Sequence, residues 1–205
     1  MNRQFRQVAS QPYQWPFDGA WSASDTACLA VGVLYPLAAD MASDESVVHA
    51  RKAAESFLSA AGRVGLHTVF TVHPVYERVT GAIRLQASEL SRQSTPLLEP
   101  GPKDEIVEAP GLSAFYSTRL HDLLESWQVR NLLVFGVPTD GAVHATMRDA
   151  NDRGFECLLL EDASAAYVPE HHEAIVRVTR FGNGLFGTTA PTGPVLEAMG
   201  AQSSQ

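Results

Sequence analysis

Catalysis or ligand binding needs a nucleophile, an acid or base, or a ligand set, and this chain offers few of each. Its two cysteines, Cys28 and Cys157, lie within Ala27-Cys28-Leu29-Ala30-Val31 and Phe155-Glu156-Cys157-Leu158-Leu159-Leu160. Both segments read as buried strands, where a thiol is a small hydrophobe and not a thiolate. There is no CxxC and no Cys/His cluster, so neither a disulfide scaffold nor a zinc site is expected. Two buried thiols suit a reducing, cytoplasmic compartment. Ser113 and Tyr116 carry hydroxyls but no evident base, and serine is inert without one. Asp140 reads as the cap of a helix, and Glu108 as a strand residue pointing away from its neighbour Ala109. His171 and His172 read as solvated at a helix start, and His144 as a structural or interface histidine. The run Gly182-Asn183-Gly184-Leu185-Phe186-Gly187 matches GxGxxG. A dinucleotide fingerprint must follow a strand and open a helix; here a helix precedes it, so it reads as a surface turn. No metal and no cofactor are expected.

The net charge of −8 over 205 residues disfavours a phosphate backbone as partner, so no nucleic acid is expected. The N-terminus lacks the apolar stretch of a secretory signal. The longest apolar run, Ala27 to Ala39, is interrupted by Gly32 and Pro36 and is shorter than the ~20 residues of a membrane helix. No membrane association is expected.

The elements that would position these groups alternate. Strands are expected at 27–31, 66–72, 105–108, 131–135 and 155–160, from β-branched and apolar runs. Helices are expected at 43–62, 118–127, 140–153 and 169–179, with a short last turn at 194–199. Residues 74–105 read as irregular. Such alternation predicts a parallel sheet covered on both faces, with its crevice beyond the C-terminal strand ends. The chain divides into an N-terminal arm, 1–24, whose Pro- and aromatic-rich stretch 11–17 reads as lying on a surface, one domain, 25–199, and a disordered tail, 200–205.

The strand-end residues carry a resemblance. Phe135-Gly136-Val137-Pro138-Thr139-Asp140-Gly141-Ala142-Val143 resembles the G-[VI]-x-T-D-x-C-V elbow of the isochorismatase-like cysteine hydrolases. Pro110-Gly111-Leu112-Ser113-Ala114-Phe115 resembles their K-P-G-x-S/G-A-F motif, and Thr26 to Val33 their T-A-L-L-V-I-D-M. The resemblance runs from about Tyr13 to Met199 and looks nearest the biuret hydrolase and carbamoyl-amide hydrolase branch. It implies a three-layer α-β-α fold around a six-stranded, mainly parallel sheet.

The family uses a cysteine nucleophile, an aspartate that takes the thiol proton, a lysine, and elbow N–H groups that hold an oxyanion. On this sequence the cysteine falls at Ala142, the aspartate at Gly32 and the lysine at Ala109. All three triad positions are vacant. What survives is an oxyanion-like cradle at Pro138, Thr139, Gly141 and Ala142, with Val137-Pro138 where the family places a cis bond. Tyr35, His73 and Phe115 are expected to line or fill the pocket. Nicotinamidase-like members hold a metal through a D-x-H segment, but Thr71 stands where that aspartate would precede His73. The resemblance therefore implies a catalytically degenerate protein, a binding or regulatory subunit for an active paralogue or a small ligand. The alternative is a divergent hydrolase of small amides, ureides or esters. Family members form dimers and tetramers, so a homo-oligomer, or a hetero-oligomer with an active paralogue, is expected.

Overall fold

The computed structural model describes residues 4–34, 44–73, 76–79, 82–85 and 96–200, with backbone alone at 76–79 and 82–85. Among the described residues the elements run, in chain order, β1 (Thr26–Val31), α1 (Glu45–Val64), β2 (His67–Val72), β3 (Tyr76–Val79), β4 (Ala82–Leu85), β5 (Glu105–Glu108), α2 (Leu120–Ser126), β6 (Asn131–Gly136), α3 (His144–Asp152), β7 (Glu156–Ser164), α4 (Pro169–Gly184), β8 (Thr188–Ala190) and α5 (Thr192–Met199). Six of the strands form one sheet in the order β5-β2-β1-β6-β7-β8. Every pairing in it is parallel.

Beyond their first residues, Thr26 and Asn131, the central strands β1 and β6 are apolar, and they are buried on both faces, as a parallel sheet between helices requires. Alternate residues therefore feed two cores. Cys28, Ala30, Leu133 and Phe135 face α1 and α5; Ala27, Leu29, Leu132 and Val134 face α2, α3 and α4. Phe57 of α1 meets Phe135 edge to face at 5.7 Å. Both rings are fully buried, each contributing about 2–3 kcal/mol. Asp44 caps α1 by accepting from the Ser46 N–H, and Gly65 ends it in the left-handed region, as those residue types favour.

Three features depart from the sequence reading. The segment read as irregular contains the antiparallel β3–β4 hairpin. The sixth sheet strand is β8, three residues long and too short to show a pattern; the turn that enters it is where GxGxxG falls. The N-terminal arm is only partly superficial. Trp15 is exposed, but Phe5, Val8, Phe17 and Trp21 are buried in the α1–α5 core. Gln11 then exchanges backbone hydrogen bonds with Thr189 of β8. The expected tail beyond Gly200 lies outside the described residues. Among those described, no helix is long and apolar enough to cross a membrane.

Candidate functional site

From the centre of the sheet the chain departs in opposite directions. β1 leads through α1 to β2 on one side, and β6 leads through α3 to β7 on the other. Parallel sheets bind ligands at such a switch point, beyond the strand ends. Gly32 follows β1, Ala109 follows β5, and Ala142 lies in the elbow Thr139–Val143 between β6 and α3. The topology thus brings to one edge the three positions where the resemblance puts the triad.

The exits of β1 and β6 are joined closely. The Val137 N–H donates to the Val31 carbonyl at 3.0 Å. Gly32 has φ +70°, and a Cβ on it would stand 2.1 Å from the Val137 carbonyl oxygen; one on Gly136, at φ +139°, would stand 1.9 Å from the Val31 oxygen. Two backbones in such contact exclude any side chain at either position. Position 32 therefore has no carboxylate, and no room for one without moving the backbone.

Ala109 is buried and donates its N–H to the Val72 carbonyl at 2.8 Å. Glu108 beside it is exposed, as its strand position predicts. The turn that follows is tied on two sides. His73 Nδ1 lies 2.9 Å from the Gly111 carbonyl, and its Nε2 2.8 Å from Thr71 Oγ1. A carbonyl only accepts, so Nδ1 carries the proton and the Thr71 hydroxyl donates to Nε2. Burial holds the His73 imidazole below its ordinary pKa, which keeps it neutral. Both ring nitrogens are engaged, which leaves no lone pair for a metal. On the other side Ser113 Oγ donates to Asp149 Oδ2 of α3 at 2.6 Å, and the Ala114 N–H donates to Thr146 Oγ1. The Ser113 hydroxyl is a structural tie to a carboxylate.

Ala142 is buried in the same apolar cluster as Val31, Ala114 and Met147. The Val137-Pro138 bond is cis. The cradle is narrower than the sequence implied. Pro138 has no N–H; the Thr139 N–H donates to the Ala165 carbonyl and the Gly141 N–H to the Pro138 carbonyl. Asp140 does not cap the helix: its Oδ2 lies 2.8 Å from His171 Nδ1, and the elbow has no side-chain cap.

His172, read from sequence as solvated, is half-buried with Nδ1 2.9 Å from Thr139 Oγ1. Burial holds it below the ordinary imidazole pKa, against the pull of Glu161, Glu173 and Asp140. A signal for both histidines was available. Pro169 opens α4 directly after β7, so His171 and His172 occupy a first turn at the same sheet edge as the elbow. His144 is buried in the first turn of α3. Its Nδ1 accepts from Arg148 Nε at 3.3 Å, and its ring meets Phe186 edge to face at 5.4 Å.

Of the expected lining residues, His73 is at the edge and Tyr35 lies outside the described residues. Phe115 stacks on Phe155 at 5.7 Å, with the Arg153 guanidinium 5.2 Å away. Both partners follow the end of α3, so the ring is directed toward the opposite edge of the sheet. Cys28 and Cys157 are free, fully buried in mid-strand, and pushed up in pKa by that burial. Among the described residues, no three His, Cys, Asp or Glu side chains are grouped to hold a metal. Gly182, Asn183 and Gly184 all take positive φ at the end of α4, a helix-to-strand turn and not a nucleotide loop.

Residues 33–190 match the isochorismatase domain family. Nicotinamidase 3 of Arabidopsis thaliana is 40% identical over 79 residues, which cover 38% of this chain and 40% of that protein. Ureidoacrylate amidohydrolase RutB of Pantoea ananatis is 30% identical over 110 residues, covering 53% and 42% respectively. The matches thus span about two-fifths of each relative's length. A cysteine hydrolase from Pseudomonas syringae pv. phaseolicola superposes with a TM-score of 0.75 over 97% of this chain and 98% of that one, at 18% identity, which is a likeness of fold. With the elbow, the Pro-Gly turn and the six-stranded sheet in place, the match over most of its length makes this chain a member of the isochorismatase family.

Proposed function

We propose that this chain is a noncatalytic member of its family, a binding or regulatory subunit that engages an active paralogue or a small ligand at the β1–β6 switch point. One observation carries the reading. The three strand-end positions where the resemblance puts base, lysine and nucleophile hold Gly32, Ala109 and Ala142, and a Cβ at position 32 would collide with the Val137 carbonyl at 2.1 Å. A cysteine hydrolase needs a base to form its thiolate, and this backbone supports none from position 32. Parallel sheets take ligands beyond their strand ends, and the family's habit of assembly supports a dimer, a tetramer or a hetero-oligomer. Two free buried thiols are in keeping with a cytoplasmic location.

The experiment is an ammonia-release assay on nicotinamide, ureides and carbamoyl amides, with native mass spectrometry of the protein purified from its own cell. No turnover, together with a retained ligand or partner mass, is the expected result. The second reading, a divergent amide hydrolase, is favoured by the activities of the relatives: nicotinamidase and ureidoacrylate amidohydrolase. Turnover that survives repurification and disappears in Thr139→Ala would establish it and overturn the first.

A further inference from the structure

The elbow between β6 and α3 is held at both ends by imidazoles, one half-buried and one buried. At its start the Thr139 hydroxyl, fully buried, meets His172 Nδ1 of α4 at 2.9 Å. At its end His144, 5% exposed, is fixed by Arg148 and by the Phe186 ring, over which the Arg148 guanidinium lies at 4.0 Å. Because Nδ1 of His144 accepts from Arg148, the proton of the neutral ring sits on Nε2. That Nε2 is buried with no hydrogen-bond partner among the described residues. An exposed third contact, His171 to Asp140, completes the attachment of α4 to the elbow.

We propose that this elbow is an acid-operated latch, closed while His144 and His172 are neutral and opened when they take up protons. A protonated His144 carries N–H on both nitrogens, so Nδ1 can no longer accept from Arg148 and two cations face each other. The charged groups around each ring are few. His144 faces Arg148 from its own helix, and Phe186 of the α4–β8 turn brings no charge. His172 faces Glu161 from β7, Glu173 from α4 and Asp140 from the elbow. Glu161 is bound by Arg180 and Thr189, and Asp140 by His171, so these carboxylates moderate the effect of burial on His172 without cancelling it.

The direction follows from linkage. Burial and Arg148 lower His144 to about 4, below the ordinary imidazole value near 6.5. The closed form is therefore fully favoured above ~6.5 and loses ground as pH falls toward ~4. Each histidine that protonates on opening shifts the opening constant by up to about tenfold per pH unit within its window, hence roughly fifteenfold from pH 6.5 to 5.0 for His144.

Hydrogen-exchange mass spectrometry of the full chain at pH 7.5, 6.5 and 5.0, with times rescaled for intrinsic exchange, tests this. Peptides over 137–147 and 168–187 are expected to lose protection at pH 5.0 while 27–31 and 131–135 keep theirs. His144→Leu combined with His172→Asn is expected to abolish the pH response. An unchanged elbow in the wild type, the same response in the double variant, or sheet peptides opening together with the elbow would each overturn the latch. Should the double variant not fold, ring-proton NMR of the wild type decides: His144 titrating near 6.5 in the folded state overturns it, and titration well below supports it.

Discussion

The two strand exits at the switch point are empty for different physical reasons. At the exit of β1 the backbone does the excluding: Gly32 lies against the Val137 carbonyl, and Gly136 against that of Val31. At the exit of β6 the backbone is that of an ordinary elbow, and Ala142 simply ends in a methyl within an apolar cluster. The first vacancy is built into the sheet. The second is one sulfur atom away from the family pattern. A single substitution can refill the second and not the first.

The largest effect expected from this contrast is at Gly32. Gly32→Asp would force a side chain into a positive φ and against a backbone oxygen, costing about 3 kcal/mol or more. In a domain of this size that is a Tm drop of roughly 10 °C in thermal unfolding. Gly65→Ala supplies the control. Its φ is +81°, but nothing lies within 4 Å of the added Cβ, so only the conformational cost of about 1 kcal/mol is expected. Equal losses at the two positions would mean that the β1–β6 contact is not what excludes a side chain.

A smaller loss is expected where the Pro-Gly turn is tied to α3. Ser113→Ala removes a 2.6 Å bond to the Asp149 carboxylate and the acceptor for the Phe115 N–H. Denaturant unfolding should show a loss of about 1–2 kcal/mol, with no effect on the latch response of the elbow. A change below about 0.5 kcal/mol would show that the turn is held by the His73–Gly111 and Ala114–Thr146 contacts without help from Ser113.

The sheet and its layers were legible in the sequence because apolar runs, caps and glycine stops are local signals. Asp44 caps α1 as its residue type favours, whereas the helix runs past Gly62, where its pattern was read to end, to Val64. The edge strand β8 was not legible, since three residues cannot show a period, and neither was the burial of Phe17 and Trp21, which depends on the arm folding back onto α1 and α5. Within the site, the identities at 32, 109 and 142 were visible in the chain. Three things needed coordinates because they depend on contacts across 30 or more residues: the collision that forbids a side chain at 32, the pairing of Asp140 with His171 in place of a cap, and the seat of His172 on Thr139. Residue type fixed the donors and acceptors; only the approach of α4 to the elbow decided which met.

The sharpest use of the contrast, at a structural cost no larger than that at Ser113, is expected at the other exit. Ala142→Cys adds one sulfur to a site 2% exposed, and a volume change of that size in a packed core costs about 1–2 kcal/mol. The new thiol would sit at the start of a helix but in apolar surroundings, with glycine where the family has its base. Burial raises a thiol pKa and a missing base leaves it protonated. It should therefore react slowly with a thiol reagent at neutral pH. Cys28 and Cys157, buried in mid-strand, give a low background until the protein unfolds. No ammonia release from amides is expected from this variant. Rapid labelling or amide turnover in Ala142→Cys would mean that some group other than residue 32 can ionise a thiol at the elbow. The glycine at the β1 exit would then be no barrier to forming a thiolate, and the difference between the two exits would lose its functional meaning.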